Sequence, residues 1–319
     1  MRFLTRITRG NGDDPRPRAT WRVLFPILFT ILLGGMLFPL IALQVTPLGE
    51  FGLQILTDVL LLIGFALVLY VSAKYLDRRP VSAYGFHLSR DWAIDFAGGA
   101  LLGIVLVGTT FGIGYAAGLI EITAVWSAGD APSVLAWLLL FGVGWFTVGI
   151  WEEGLFRGVF ILNGIEGLAA RLASPQQVFI GAWAVSTITF GVIHVPLSRV
   201  PEGVSLLGLL AVWTLLGGVL GLSYLFSGEL AFPIGLHFTF NFAVNNVFLG
   251  IAEPGQIALP TVIRPELTAS ELWYPLAGLP MILTVLAGYP LVVGWFYFRH
   301  GELTVANSLA TITDYGTEQ

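Results

Sequence analysis

The chain has 319 residues, of which 56% are hydrophobic and 11% charged. Its mean hydropathy is +0.83, well above that of a soluble domain of this length, so a polytopic membrane protein is expected. Cysteine is absent, which excludes disulfides, thiolate metal sites and a cysteine nucleophile, and a net charge of −5 gives no reason to expect a nucleic-acid partner.

The first 21 residues, MRFLTRITRGNGDDPRPRATW, hold five arginines ahead of any apolar window and read as a disordered cytoplasmic tail. The window that follows is longer than a signal-peptide core and has no A-x-A-like site, so it is expected to stay as an anchor. A spanning helix needs roughly 20 apolar residues, and about eight windows meet that need, near 22–44, 52–73, 96–120, 133–157, 177–197, 204–227, 231–250 and 274–298. The fold class expected is all-α, a polytopic transmembrane bundle over 22–299, with a C-terminal tail at 300–319. Small residues four apart, as in GALLG (99–103), GYAAG (114–118) and GGVLG (217–221), suit close helix packing.

Most cations fall in segments that share one side if the N-terminus is inside. These are Arg2, Arg6, Arg9, Arg16, Arg18 and Arg22, then Lys74, Arg78, Arg79 and Arg90, then Arg171 and Arg299. Arg199 and Arg264 fall on the other side, so the asymmetry predicts N-in and C-in with an even number of spans, in a multi-pass protein of the cell membrane. The linker 77–96 mixes Arg with Tyr, Phe and Trp and suits the headgroup layer of the bilayer. A polar loop is expected near 251–273, and no soluble second domain.

Three polar patterns interrupt the apolar windows. WEEGLFRGVF (151–160) places Glu153 and Arg157 at i, i+4, where they can neutralise each other, and turns Glu152 about 100° away with no local partner. A charge at a helix centre costs about 2.5–3.5 kcal/mol on insertion scales, so Glu152 is the residue that needs a reason. FGVIH (190–194) puts Phe190 and His194 on one helical face. HFTFNFAVNN (237–246) puts His237, Asn241 and Asn245 on one stripe. Each pattern alone also fits a structural role: a buried ion network, a packing histidine, or hydrogen bonds between helices. Together they supply a glutamate able to take a proton from water, a histidine to position that water, and a second histidine and an amide able to stabilise an oxyanion. No G-x-S-x-G nucleophile motif is present.

The ordered set E-E-x-x-x-R (152–157), F-x-x-x-H (190–194) and H-x-x-x-N (237–241) resembles the three motifs of the CPBP family, also called the ABI or CAAX amino-terminal protease family, which includes the type II CAAX prenyl endopeptidases. The context SGELAFPIGLHFTFN (227–241) is similar as well, and the resemblance covers roughly 75–250. It implies an eight-helix, glutamate-dependent intramembrane endopeptidase acting on a membrane-associated peptide or protein. Glu152 would be the base, His194 its partner on the water, and His237 with Asn241 the oxyanion hole, with Glu153, Arg157, Phe190 and Asn245 in support. No cofactor is expected. Zinc on two histidines and a glutamate is the alternative, and a catalytically silent scaffold or immunity protein of the same fold is the rival function. A transporter would show paired inverted repeats, and none is visible.

One expectation conflicts with the others. Under this topology Glu152 and His237 sit near the cytoplasmic face, whereas His194 lies about 19 residues, roughly 28 Å, into a window entered from that face. One site requires one depth.

Overall fold

The computed structural model describes residues 16–42, 49–128, 133–172, 174–197, 200, 204–250, 260–268 and 271–317. Most of the expected N-terminal tail, with Arg2, Arg6 and Arg9, lies outside the described residues, as do Arg199 and residues 251–259 and 269–270 of the expected loop.

The apolar windows form helices. In chain order these are α1 (Ala19–Ala42), α2 (Gly49–Val71) with a π turn at Ser72–Asp77, α3 (Arg90–Ala116), α4 (Val134–Glu153) with a π segment at Gly154–Ile161, and α5 (Leu162–Ala169). Then come α6 (Pro175–His194), α7 (Leu206–Ser227), α8 (Ala231–Phe242) with a π turn at Ala243–Phe248, α9 (Leu279–His300) and α10 (Asn307–Thr317). Side-chain caps explain several starts. The hydroxyls of Ser89, Ser133 and Ser205 accept from the backbone amides of Trp92, Ala136 and Gly208, each satisfying a donor that an apolar first turn leaves unpaired. Gly228, at φ 67°, ends α7 in the left-handed conformation that a side chain would disfavour.

Six helical stretches among the described residues are long and apolar enough to cross a membrane: Gly52–Asp77, Arg90–Ala116, Val134–Ala169, Pro175–His194, Leu206–Ser227 and Leu279–His300. Exposed Leu32, Leu101, Leu139 and Ile180 point outward from them and from α1, as a lipid-facing surface requires. The chain is an all-α polytopic membrane protein. The window at 231–250 has another character: α8 is short, and Phe232, Ile234, Leu236, His237 and Phe240 on it are buried, so protein surrounds it on all sides.

The packing of α3 on α8 is backbone to backbone. A Cβ at Gly99 would lie 2.1 Å from the Phe232 carbonyl oxygen, and one at Gly235 would lie 2.2 Å from that of Phe96. The seam expected at GALLG is therefore real and carries the helix that bears His237. GGVLG likewise lets α6 approach, with Gly217 against Phe190 and Gly221 against Trp183. GYAAG differs: α3 ends at Ala116, and Gly118, at φ 70°, turns the chain into a strand.

That strand was not expected from the apolar windows. β1 (Ile120–Ser127) pairs antiparallel with β2 (Thr261–Leu267), with Ile120 opposite Leu267 and Ser127 opposite Thr261. The Arg264 Nε donates to Ser127 Oγ at 2.9 Å across the ribbon. Asn246 fastens the ribbon to α8's π turn: its Nδ2 donates to the Pro260 carbonyl at 3.2 Å, and its Oδ1 accepts from Trp145 Nε1 at 2.9 Å.

The conflict of depth is resolved by the length of one helix. The window expected to end at 157 continues as helix to Ala169, a stretch of 36 residues, and α6 returns alongside it. Gly164 packs on Ala182, where a Cβ would meet that of Ala182 at 3.3 Å. Glu152 stands twelve residues before Gly164, and His194 stands twelve residues after Ala182. Both side chains therefore reach one level, where Glu152 Oε2 and His194 Nε2 stand 3.6 Å apart.

At the opposite end of this helix pair lies a charge network. Arg22 reaches Asp77 at 3.6 Å and Glu166 at 2.7 Å, Arg79 pairs with Glu166, and Arg16 joins Glu166 at 3.2 Å. Asp77 also accepts from Tyr84 Oη at 2.7 Å and Asn163 Nδ2 at 2.8 Å. Burial first, and then the Asp77 carboxylate, push the Tyr84 phenol upward, so it stays a donor. The network ties α1, the end of α2 and α5 together beyond the level of the polar motifs.

Candidate functional site

Glu152 and Glu153 are the last two residues of α4, and the π segment begins at Gly154. A π turn widens the helix by one residue per turn and often accompanies functional sites. The two carboxylates have different fates. Glu153 is fully buried and ion-paired through Oε2 with Arg157 Nε at 3.0 Å, at an angle short of a hydrogen bond. Its Oε1 meets His237 Nδ1 at 2.6 Å. Arg157, also fully buried, donates from Nη2 to the Gly217 carbonyl at 3.0 Å and lies over the Phe190 ring at 4.3 Å. A cation over a ring face, a carboxylate and a carbonyl together offset the desolvation of the guanidinium.

Glu152 turns the other way. Its Oε2 stands 3.6 Å from His194 Nε2 and 3.8 Å from His237 Nε2. Both gaps exceed a direct hydrogen bond, yet one water within reach of Glu152 can touch either ring. The side chains of Glu152 and His194 keep 13% and 21% of their exposure, whereas Glu153, Arg157 and His237 keep 0, 0 and 3%. The cluster is thus partly exposed at Glu152 and His194 and sealed at Glu153, Arg157 and His237, and the Glu152 Oε2 that faces both rings is itself buried without a hydrogen-bond partner.

Hydrogen bonding fixes what each imidazole presents. His194 Nδ1 is 2.6 Å from the Phe190 carbonyl, which can only accept, so Nδ1 carries a proton and Nε2 is the ring atom turned toward Glu152. His194 also stacks on Trp213, with centroids 5.4 Å apart and planes at 29°. Phe190 is the hub. Its ring lies 4.6 Å from the His194 ring, edge-on to the His237 ring at 5.9 Å and beneath Arg157, so F-x-x-x-H contributes packing as well as a histidine.

The structure thus brings Glu152, Glu153, Arg157, Phe190, His194 and His237 into one cluster. Asn241 follows His237 by one turn and is half-buried, and its carbonyl accepts from Asn245 Nδ2 at 2.8 Å. Asn245 is accordingly bound to its own helix and takes no part in the cluster through that amide nitrogen. Trp213, the Gly217 carbonyl and the Glu153–His237 bond were not foreseen from the sequence. A tryptophan in an apolar window and a bare carbonyl leave no mark in sequence, and Glu153 and His237 are 84 residues apart. Among the described residues, no group of three or more His, Asp or Glu is arranged to hold a metal ion.

Residues 132–243 match the family described as type II CAAX prenyl endopeptidase Rce1-like. No curated protein and no solved structure matches the chain. The matched segment runs from the start of α4 through α8 and contains all three motifs in order. Over residues 132–243, about a third of its length, the chain is therefore similar to the type II CAAX prenyl endopeptidases, and its three motifs lie inside that segment.

Proposed function

We propose that this chain is an intramembrane endopeptidase that hydrolyses a peptide bond in a membrane-associated peptide or protein, without a metal or other cofactor. Glu152 takes a proton from water, and the His194 Nε2 lone pair accepts that water's second hydrogen. The water oxygen attacks the carbonyl carbon. His237 Nε2 and the Asn241 amide donate to the oxyanion, and Glu152 returns the proton to the leaving amine as the carbon–nitrogen bond breaks. Water and one amide become one acid and one amine. The observation that carries the reading is the division of the two glutamates: Glu152 lies within one water of two imidazoles on the partly exposed side, while Glu153 is consumed by Arg157 and His237 on the sealed side.

The bundle over 22–299 inserts with both termini inside the cell, and 1–21 and 300–319 form its tails. The test compares protein termini in membranes carrying the wild-type chain with those in membranes carrying Glu152→Gln at equal abundance. The proposal expects at least one membrane-associated protein with a new terminus in the wild-type sample alone. Identical termini in the two samples would favour the silent scaffold.

A further inference from the structure

We infer that Glu153 is a positioning residue that acts through His237, holding it as an imidazolium so that the oxyanion donor is a charged Nε2–H. The inference rests on the proteolytic reading above and deepens it. Sequence spacing gives Glu153 a partner in Arg157 alone, which by itself points to a structural ion pair. The structure gives it a second partner.

Glu153 Oε1 is 2.6 Å from His237 Nδ1, while Oε2 faces Arg157. A carboxylate beside a guanidinium is ionised and can only accept, so Nδ1 bears a proton. If Nδ1 held the ring's one proton, Nε2 would carry a lone pair and would repel an oxyanion. A donor at Nε2 therefore requires the second proton.

The charges around the ring point the same way. The groups facing His237 are Glu152 and Glu153 from α4, Arg157 from the π segment, and His194 and Phe190 from α6. With both glutamates ionised and Arg157 charged, the cluster holds one uncompensated negative charge in a largely buried place. One protonated histidine brings it to neutrality. His237 is the ring that receives the charge, because it touches a fully buried carboxylate and is itself 3% exposed. His194 gives its Nδ1–H to a neutral carbonyl, is 21% exposed and has its nearest carboxylate at 3.6 Å. The two histidines thus divide the labour: His194 offers a lone pair to the water, and His237 offers a charged donor to the oxyanion. During the reaction the water proton goes to Glu152 and returns to the amine, so His237 holds both of its protons throughout.

Nitrogen-15 resonance on full-length protein labelled at histidine, in lipid bilayers at pH 7, tests this without a substrate. The chain has four histidines, and single His→Gln variants assign the signals. The expected spectrum shows two protonated ring nitrogens for His237 and one for His194. Glu153→Gln should turn His237 into a neutral ring, and Glu153→Asp, which keeps the carboxylate, should restore the imidazolium together with activity within about tenfold of wild type. A neutral His237 in the wild-type spectrum overturns the inference even if Glu153→Gln fails to fold, as does an imidazolium that persists in Glu153→Gln. If the spectrum is as expected but no protein terminus depends on Glu152, the protease reading has failed and the assignment of Glu153 stands as an account of His237 alone.

Discussion

Replacing each of the adjacent glutamates by glutamine should damage the protein in two different ways. Glu153 is fully buried between Arg157 and His237, and a glutamine there leaves the guanidinium facing a neutral amide. Breaking one side of a buried pair costs about 3–5 kcal/mol. Arg157 keeps the Gly217 carbonyl and the Phe190 ring, so the lower half of that range is expected. Glu152 has no direct hydrogen bond to either histidine, and glutamine preserves its volume, so Glu152→Gln should change stability by less than about 1 kcal/mol. Its effect should fall on turnover instead, a loss of about 10²–10⁴-fold, the usual contribution of a positioned base. The assay is a matched pair of melting curves in one detergent together with single-turnover cleavage of a substrate found by its Glu152-dependent terminus. A Glu152→Gln protein that melts early yet keeps its turnover, beside a Glu153→Gln protein that is stable but inactive, would show that the base is Glu153. Full activity in both would remove glutamate chemistry altogether.

Gly235→Ala forces a methyl group against the Phe96 carbonyl two residues before His237, so it should cost about 1–3 kcal/mol in melting experiments and lower turnover as well. Gly112→Ala, with nothing within 4 Å of its Cβ, should be neutral or stabilising by about 0.5–1 kcal/mol in the same experiment. Asp77→Ala removes the acceptor of the Tyr84 hydroxyl and one of the two acceptors of Asn163, while Arg22 keeps Glu166 at 2.7 Å, and should destabilise by about 1–3 kcal/mol, read as a lowered melting temperature. Asn241→Ala should lower kcat by about 10²-fold with little change in KM, since an oxyanion donor acts on the transition state; a rise in KM alone would make it a substrate contact. Elemental analysis of purified protein should find no stoichiometric zinc, and one tightly bound zinc lost in His194→Ala would reassign Glu152 to a metal-assisted role.

What was legible in the sequence was local. The i, i+4 rule paired Glu153 with Arg157 and set Glu152 apart, and the apolar windows located the helices, because both depend on residues within one or two turns of each other. The family motifs named His194 and His237, and geometry places both rings within 3.8 Å of one Glu152 oxygen. What was hidden depends on distant segments. The Glu153–His237 bond joins α4 to α8, and Trp213 reaches His194 from α7. The helix through Ala169 outran its apolar window because Glu166 and Asn163 there are satisfied by Arg16, Arg22, Arg79 and Asp77 from other elements. Hydropathy sees their polarity and cannot see those partners. The β1–β2 ribbon escaped because its strands are 7 and 8 residues long and lie far apart in the chain, between windows read as spans.

The proposed hydrolysis requires Glu152 and His194 to share one activated water. An experimental structure of the protein in a lipid nanodisc, at a resolution that shows ordered solvent, tests it directly. The expected result is a single water within hydrogen-bond distance of both the buried Glu152 Oε2 and His194 Nε2. A direct contact between the two side chains that leaves no room for water, or a metal ion at about 2.0–2.2 Å from Glu152, His194 and His237, would contradict it.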